Sequence, residues 1–218
     1  MAAVLLQANV ATRVGTAAQD PSADRDTFFR VPEVLAAMAL EAGGHAADVG
    51  AGDGFFTVRM ARLVGPRGRV IAEDVDEKAL AKLRERIVKE PVPENVETVL
   101  GQPNDPKLPE HTLDAVLVCN AYHEMTEHDA MLSHIYRALR NGGRLVLLEP
   151  FHETARGKSR DAQVANHDLA PEFAEEELRR AGFTVLERRD GFVGFIGQPG
   201  GFWLIIAIRP DAEPPQRK

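Results

Sequence analysis

The sequence predicts an α/β fold in which an open, mostly parallel sheet ends in an antiparallel hairpin and carries helices on both faces. Two observations predict it. Between residues 45 and 150, short apolar segments alternate with segments of helical periodicity, a pattern typical of a parallel sheet covered on both faces. After residue 183, the strand segments TVLERRD and FWLIIAI are separated only by the loop GFVGFIGQPGG. Parallel strands usually need a helical crossover, so these two strands are expected to pair antiparallel.

Each predicted element carries a local signal at its boundary. Pro32 suits the first turn of a helix, and the helices of the first two thirds are followed by Gly43, Gly65, Pro91 and Gly142. In chain order the sequence predicts a helix at 33–42, a strand at 45–50, a helix at 55–64, a strand at 68–74, a helix at 76–90, strands at 95–101 and 113–120, a helix at 127–140, a strand at 143–150, a helix at 170–183 and strands at 184–190 and 202–208.

The composition indicates one globular domain. Of the 218 residues, 44% are hydrophobic and 27% are charged, which is typical of a globular protein. The net charge is −7, and no run of like charges resembles a groove for phosphates, so no nucleic acid partner is expected. No apolar run approaches the ~20 residues that span a bilayer, so no membrane partner is expected either. We expect the domain at 27–208, with flexible segments at 1–26 and 209–218.

The single cysteine bears on the compartment. Cys119 lies in the apolar run LDAVLVC and has no second cysteine to pair with, which favours a buried thiol in a reducing cytoplasm. Export is the weaker alternative. Small residues before Gln19 suit a signal-peptidase site, but the opening lacks a basic start and its apolar stretch is interrupted.

A glycine-rich turn follows the first predicted strand. In ADVGAGDGFFT, Asp48 precedes Gly50, Gly52 and Gly54 at alternate positions. Glycines at this point let the backbone turn sharply and approach a ligand at the start of the next helix. The dinucleotide fingerprint G-x-G-x-x-G would need a third glycine where Phe55 stands, so the turn fits a pyrophosphate site poorly.

The acid-x-G-x-G-x-G turn resembles that of the class I S-adenosylmethionine-dependent methyltransferases, and the resemblance extends over about residues 28–208. It implies a Rossmann-like fold and S-adenosylmethionine as the cofactor. Asp48 and the loop from Gly50 to Phe55, including Ala51, are expected around the methionine part of the cofactor. The segment RDTFFRVPE could fold over the cofactor through Phe28 and Phe29, although core packing is the favoured use of these rings.

Further cofactor contacts are expected from the next loops. A carboxylate at the end of the second strand can accept hydrogen bonds from both ribose hydroxyls. VIAEDVD supplies Glu73 and Asp74 there, and the resemblance favours Asp74, followed by Val75, with Glu73 facing outward. GQPNDPKLPE resembles the segment that closes over adenine, which implies contacts from Gln102, Asn104 and Asp105. Asn120 ends the fourth strand, which faces both cofactor and substrate in the family.

Tyr122 and His123 follow that strand and are the candidate catalytic residues. Methyl transfer is an in-line displacement that depends on positioning, and a base helps when the acceptor must lose a proton. His123 is the first choice because imidazole titrates near neutral pH. The alternative, that His123 packs without transferring a proton, stays open. No metal site is expected from His123 and His128, because residues five apart lie ~140° apart around a helix.

The acceptor is expected to be a small molecule. Family members that methylate nucleic-acid bases resemble one another in an N-P-P-Y type motif, where this chain has NAYH. A catalytically silent binding or scaffold protein and, less favoured, an NAD-dependent oxidoreductase are the alternatives. A homodimer is compatible with the sequence, because FWLIIAI is apolar enough for a central strand or for an edge that pairs between subunits.

Overall fold

The structure, a computed structural model, describes residues 21–195 and 199–211. Its helices are α1 (Pro21–Phe28), α2 (Val31–Met38), α3 (Phe55–Val64), α4 (Glu77–Lys89), α5 (His128–Ala138), α6 (Arg160–Val164) and α7 (Pro171–Arg180). Its strands are β1 (His45–Val49), β2 (Arg69–Asp74), β3 (Val96–Leu100), β4 (Leu113–Cys119), β5 (Leu139–His152), β6 (Thr184–Gly194) and β7 (Gly200–Ile208). Short 3₁₀ turns lie at Tyr122–Glu124 and Glu153–Ala155.

All seven strands form one sheet in the order β3-β2-β1-β4-β5-β7-β6. The strands β1 to β5 run parallel to one another, whereas β7 runs antiparallel to both β5 and β6. The predicted fold class is therefore confirmed. Because β7 lies between β5 and β6, the option that FWLIIAI forms an edge strand between subunits is wrong. Within the described residues, β3 and β6 are the edges.

Two apolar cores hold helices against the two faces of the sheet. On β1, Ala46 belongs to the core with α2 and α3, whereas Ala47 and Val49 belong to the core with α5 and α7. Leu83 of α4 packs against Ala72 of β2. Because Ala72 and Val70 share one face of β2 and Val70 packs in the core of α2 and α3, α4 covers that same face.

Several predicted boundaries differ from the structure: α7 ends at Arg180, and β6 and β7 extend into the predicted loop, to Gly194 and from Gly200. Two further differences have a clear backbone cause. The predicted helix at 33–42 ends at Met38, because Ala39 takes a left-handed backbone conformation with φ of 50°. The predicted helix at 127–140 ends at Ala138, and the chain passes straight into β5 because Leu139 is extended and pairs with Leu113 of β4. The pair register then shifts, so that the glycines after Leu139 lie within an irregular part of β5 and not in a separate loop.

The structure describes only part of the two terminal segments that were expected to be flexible. Helix α1 occupies the end of the segment that was expected to be flexible up to residue 26. The rest of that segment, including the stretch behind the export alternative, and residues 212–218 of the expected tail lie outside the described residues. Within the described ranges, every helix is too short or too polar to cross a membrane.

The order of the strands determines at which edge of the sheet a ligand can bind. β1 lies between β2 and β4, so that the loops leaving β1 and β4 diverge to opposite faces of the sheet. Ligands of open α/β sheets bind at the carboxyl ends of the strands where the order reverses in this way. The glycine loop, the end of β2 and the loop after β4 all lie at this edge.

Candidate active site

The glycine loop is built for close approach between β1 and β4. Gly50 has φ of 71°, and a Cβ added there would lie 2.5 Å from the Cβ of Ala121 in the loop after β4. Gly52 has φ of 55°, but a Cβ there would meet open space. Gly54 begins α3 and allows Leu83 of α4 to approach. The first and third glycines therefore allow packing, whereas the second leaves its backbone facing the open cavity.

The Asp74 carboxylate at the end of β2 fixes the glycine loop. The Gly52 amide donates to Asp74 Oδ2 at 2.8 Å, and the Asp76 amide donates to Oδ1 at 2.9 Å. Each oxygen thus accepts one backbone hydrogen bond and retains a lone pair for a further donor. The carboxylate is half-buried at the wall of the cavity described next.

A cavity of about 430 Å³ opens at this edge of the sheet. Six of the predicted cofactor residues line it: Gly50, Gly52, Asp74, Val75, Gln102 and Asn120. The rest of the lining was not among the predicted cofactor residues and consists of Glu73, Pro103, Ala121, Glu124, Met125, Thr126 and Met131. The volume is within the range of pockets that hold small ligands.

A second cavity of about 200 Å³ lies beside the first and shares Gly50, Gly52 and Asn120 with it. The predicted residues Asp48, Ala51 and Phe55 line it, together with Phe29, one of the two rings considered for a cover over the cofactor. Arg25 of α1 also lines it, with its guanidinium 4.0 Å from the centre of the Phe55 ring and 2.9 Å from Asp53. Arg25 begins the segment RDTFFRVPE, for which a cover over the cofactor was considered through Phe28 and Phe29, but no motif predicted a role for Arg25 itself.

Two buried acids give the cavities their electrostatic character. Burial raises the pKa of Asp48 to about 6, although the Thr57 hydroxyl donates to its Oδ2 at 2.6 Å. Burial and the neighbouring charge of Asp74 raise the pKa of Glu73 to about 8. The expectation that Glu73 faces outward is wrong, because it is 1% exposed and lines the larger cavity. Its Oε1 has no hydrogen-bond partner among the described residues.

Comparison with known proteins agrees with this geometry. The family described as "Methyltransferase domain" matches residues 46–143. A solved SAM-dependent methyltransferase from Aquifex aeolicus superposes with a TM-score of 0.72 at 25% identity, over 87% of this chain and 93% of that one. These matches support a class I S-adenosylmethionine-dependent methyltransferase.

Curated relatives of this methyltransferase match over a shorter range. The ubiquinone/menaquinone biosynthesis C-methyltransferase UbiE of Pasteurella multocida is 35% identical over 102 residues, which are 47% of this chain and 38% of that protein. UbiE of Marinomonas sp. is 30% identical over 115 residues, which are 53% of this chain and 46% of that protein. The match therefore spans less than half the length of each of these relatives.

The residues of the methyltransferase site fit S-adenosylmethionine, the cofactor of the family. The larger cavity offers the free lone pairs of Asp74 to hydroxyl groups. The smaller cavity offers the Asp48 carboxyl and the Arg25 guanidinium, which match the charges of an amino acid. The glycine backbone lines both cavities and leaves room for the chain that joins the two parts of the ligand.

Not every predicted cofactor residue reaches a cavity wall. Gln102 and Asp105 exchange two backbone hydrogen bonds, at 2.8 and 3.0 Å, in a tight turn. This turn presents Gln102 to the larger cavity, whereas the Asp105 carboxylate accepts from the Lys107 amide at 2.8 Å. Asn104 is exposed. Neither Asn104 nor Asp105 lines either of these two cavities, and Gly54 serves packing, so their contacts with the cofactor stay predictions.

The candidate catalytic residues are both buried, and neither of them lines the larger or the smaller cavity. The Tyr122 hydroxyl donates to Glu177 Oε2 of α7 at 2.6 Å, and burial and Glu177 raise its pKa. His123 Nδ1 lies 2.6 Å from Glu149 Oε2. Burial lowers the pKa of His123, but the hydrogen bond and charge of Glu149 raise it overall. The next residue, Glu124, is the one that lines the larger cavity.

Proposed function

We propose that this chain transfers a methyl group from S-adenosylmethionine to a small-molecule acceptor. The observation that carries the proposal is the Asp74 carboxylate, held by the Gly52 amide at 2.8 Å in the wall of a cavity that continues past the glycine loop. This arrangement provides an acceptor for ribose hydroxyls and a passage to a second cavity. The methyltransferase domain match over residues 46–143 and the similarity in fold to the Aquifex aeolicus methyltransferase support the same activity.

The two cavities suggest how the cofactor is oriented. Asp74, Val75 and Gln102 line only the larger cavity and suit the adenosine part. Asp48 and Arg25 line only the smaller cavity and suit the α-ammonium and α-carboxylate of the methionine part, since each would meet the opposite charge. The shared lining at Gly50, Gly52 and Asn120 would then face the sulfonium region.

The acceptor-facing wall is formed by residues after β4. Met125, Thr126 and Met131 are mostly apolar, and Glu124 adds one carboxylate. This lining, together with the net charge of −7, favours a compact and partly apolar acceptor over a polyanion. The matched relatives are named as C-methyltransferases of ubiquinone and menaquinone biosynthesis, so an electron-rich phenol or quinol ring is the first acceptor to test.

The chain contributes to the reaction by holding the donor and the acceptor in line. Positioning alone supplies much of the catalysis of a displacement step, and the walls of the larger cavity also limit access of water to the reacting centre. His123 as a general base stays a prediction. Its Nδ1 is engaged with Glu149, and its side chain is 2% exposed behind Glu124, so a direct proton transfer from the acceptor would need Glu124 to move.

The test combines binding with turnover. The purified chain is titrated by calorimetry with S-adenosylmethionine, S-adenosylhomocysteine and NAD, and then incubated with methyl-labelled S-adenosylmethionine and a panel of phenols, quinols, amines and thiols. We expect both adenosyl ligands to bind and label to appear on at least one small molecule. Adenosyl-ligand binding without transfer to any acceptor would favour the silent binding protein. Binding of NAD alone would overturn the proposal in favour of an oxidoreductase.

A further inference from the structure

A second group of polar side chains lies beside the cofactor cavity and is not explained by cofactor binding. It consists of His123, Glu124 and His167, whose potential ligand atoms all lie within 4.8 Å of one another. Glu124 Oε1 is 3.7 Å from His123 Nε2 and 3.4 Å from His167 Nδ1. Two imidazoles and one carboxylate are thus gathered around one point, although His167 lies far from the other two in the sequence.

His123 is held ready to present one nitrogen. Its Nδ1 lies 2.6 Å from Glu149 Oε2, and the Glu149 carboxylate, which is fully buried, also accepts the amides of Ala121 and Tyr122 at 2.8 and 2.9 Å. Because a carboxylate accepts the Nδ1 proton, the lone pair of the neutral ring is on Nε2. A buried carboxylate behind a histidine is the usual partner of a metal-binding imidazole.

His167 is brought to the group by a constrained segment between α6 and α7. Its backbone has φ of 55°, a conformation that non-glycine residues rarely adopt. The next residue, Asp168, anchors the segment to the end of β5 by accepting from the amide and the Nδ1 of His152, at 2.9 and 2.7 Å. The exposed imidazole of His167 is therefore turned towards Glu124, which it approaches with Nδ1.

We propose that His123, Glu124 and His167 bind a divalent first-row transition metal ion, with Zn²⁺ as the representative case. Three ligands of the type His₂-Glu with a further position open are typical of zinc sites that bind a water or a substrate. With metal–ligand bonds of about 2.1 Å, tetrahedral ligands are separated by about 3.4 Å, close to the two distances from Glu124. Since Glu124 also lines the larger cavity, the ion would lie next to the acceptor wall.

The other histidines near this group have different partners. His128 Nε2 lies 3.3 Å from Glu177, so His128 does not join His123 as a second metal ligand. His152 is bonded to Asp168 through Nδ1. The metal role and the general-base role of His123 exclude each other, because the Nε2 lone pair binds either the ion or the proton.

The experiment measures metal binding directly and needs no methyl transfer. The full chain, without an affinity tag and stripped with chelator, is titrated with ZnCl₂ by calorimetry, and CoCl₂ is followed by visible absorption. The ligand variants are Glu124→Gln and His167→Ala, both at exposed side chains. His45→Ala is the matched control, because His45 is exposed at the opposite end of β1. His123→Ala is avoided, since its buried side chain could be needed for folding.

We expect one Zn²⁺ per chain in the wild type and in His45→Ala, with affinity lowered at least tenfold in each ligand variant, about 1.4 kcal/mol. Bound Co²⁺ should show the intense visible bands of a tetrahedral ion, and these should be lost in the variants. Binding that is absent in the wild type, or unchanged in both ligand variants, would overturn the site. S-adenosylhomocysteine titrations on the same samples report separately whether the cofactor site is intact.

Discussion

Replacement of Asp74 by alanine tests the proposed cofactor site directly. The carboxylate accepts the Gly52 and Asp76 amides at 2.8 and 2.9 Å, which leaves one lone pair on each oxygen for a ribose hydroxyl. A hydrogen bond to a charged group contributes ~1.5–3 kcal/mol. Since water replaces part of what is lost at a half-buried group, we expect a net loss of about 2–3 kcal/mol, which corresponds to a roughly 30- to 150-fold weaker affinity. Calorimetry with S-adenosylhomocysteine measures the change without turnover.

The control for Asp74→Ala is Asp76→Ala. Asp76 lies two residues away, carries the same functional group and caps α4 by accepting from the Lys78 amide at 2.8 Å. Loss of this cap should lower the free energy of unfolding by ~1 kcal/mol with little effect on ligand affinity. The reasoning is refuted if Asp74→Ala keeps its fold and binds S-adenosylhomocysteine within threefold of the wild type.

Three further predictions concern the glycine loop and the buried acids. Asp48 has a pKa of about 6, so its pairing with the α-ammonium should be lost as the pH is lowered through 6. Calorimetry at several pH values should therefore show the affinity for S-adenosylmethionine falling in the wild type and independent of pH in Asp48→Asn. Glu73 has its pKa raised from 4.5 to about 8, so its contribution to stability is present below pH 4.5 and is lost as the pH rises towards 8. The free energy of unfolding in urea, taken as Glu73→Gln minus wild type, should therefore rise by about 2 kcal/mol between pH 5 and pH 7. A difference that does not change with pH would contradict a neutral Glu73 carboxyl in the folded protein. Gly50→Ala should lower the melting temperature more than Gly52→Ala. Both positions have positive φ, which costs an alanine roughly 1–2 kcal/mol, but only at Gly50 would the added Cβ also clash with Ala121. Equal losses of melting temperature would argue against the packing role of Gly50.

The fold could be predicted from the sequence wherever the signal was local. Strand–helix alternation and the short loop before FWLIIAI predicted the mixed sheet that is observed. The boundary between α5 and β5 was missed, because Leu139 leaves the helix to pair with Leu113, a tertiary contact that helix propensity does not report. The position of β7 inside the sheet was also open, since an apolar strand has the same composition in the middle of a sheet and at a buried edge.

The site was predictable where a motif encodes it and not where distant segments meet. Gly50, Gly52 and Asp74 are joined by the strand order alone, which places the ends of β1 and β2 side by side. Arg25 lies in the segment RDTFFRVPE, which was considered as a cover over the cofactor through its phenylalanines, but no motif singles out Arg25 or His167. Arg25 reaches the smaller cavity because α1 packs on the glycine loop, and His167 reaches Glu124 only through the path of the chain between α6 and α7.

The two acids at the end of β2 also bear on the choice between cofactors. Asp74 accepts two backbone amides, whereas the neighbouring Glu73 is buried with an unpaired oxygen and a pKa of about 8. At neutral pH this edge therefore offers a ribose the free lone pairs of Asp74, while Glu73 stays mostly protonated and buried beside it. A pyrophosphate held by the glycine loop would instead lie against Asp48, whose pKa of about 6 leaves it mostly ionised at neutral pH. That charge would repel a dinucleotide and attract an α-ammonium, so the electrostatics disfavour NAD for a reason independent of Phe55.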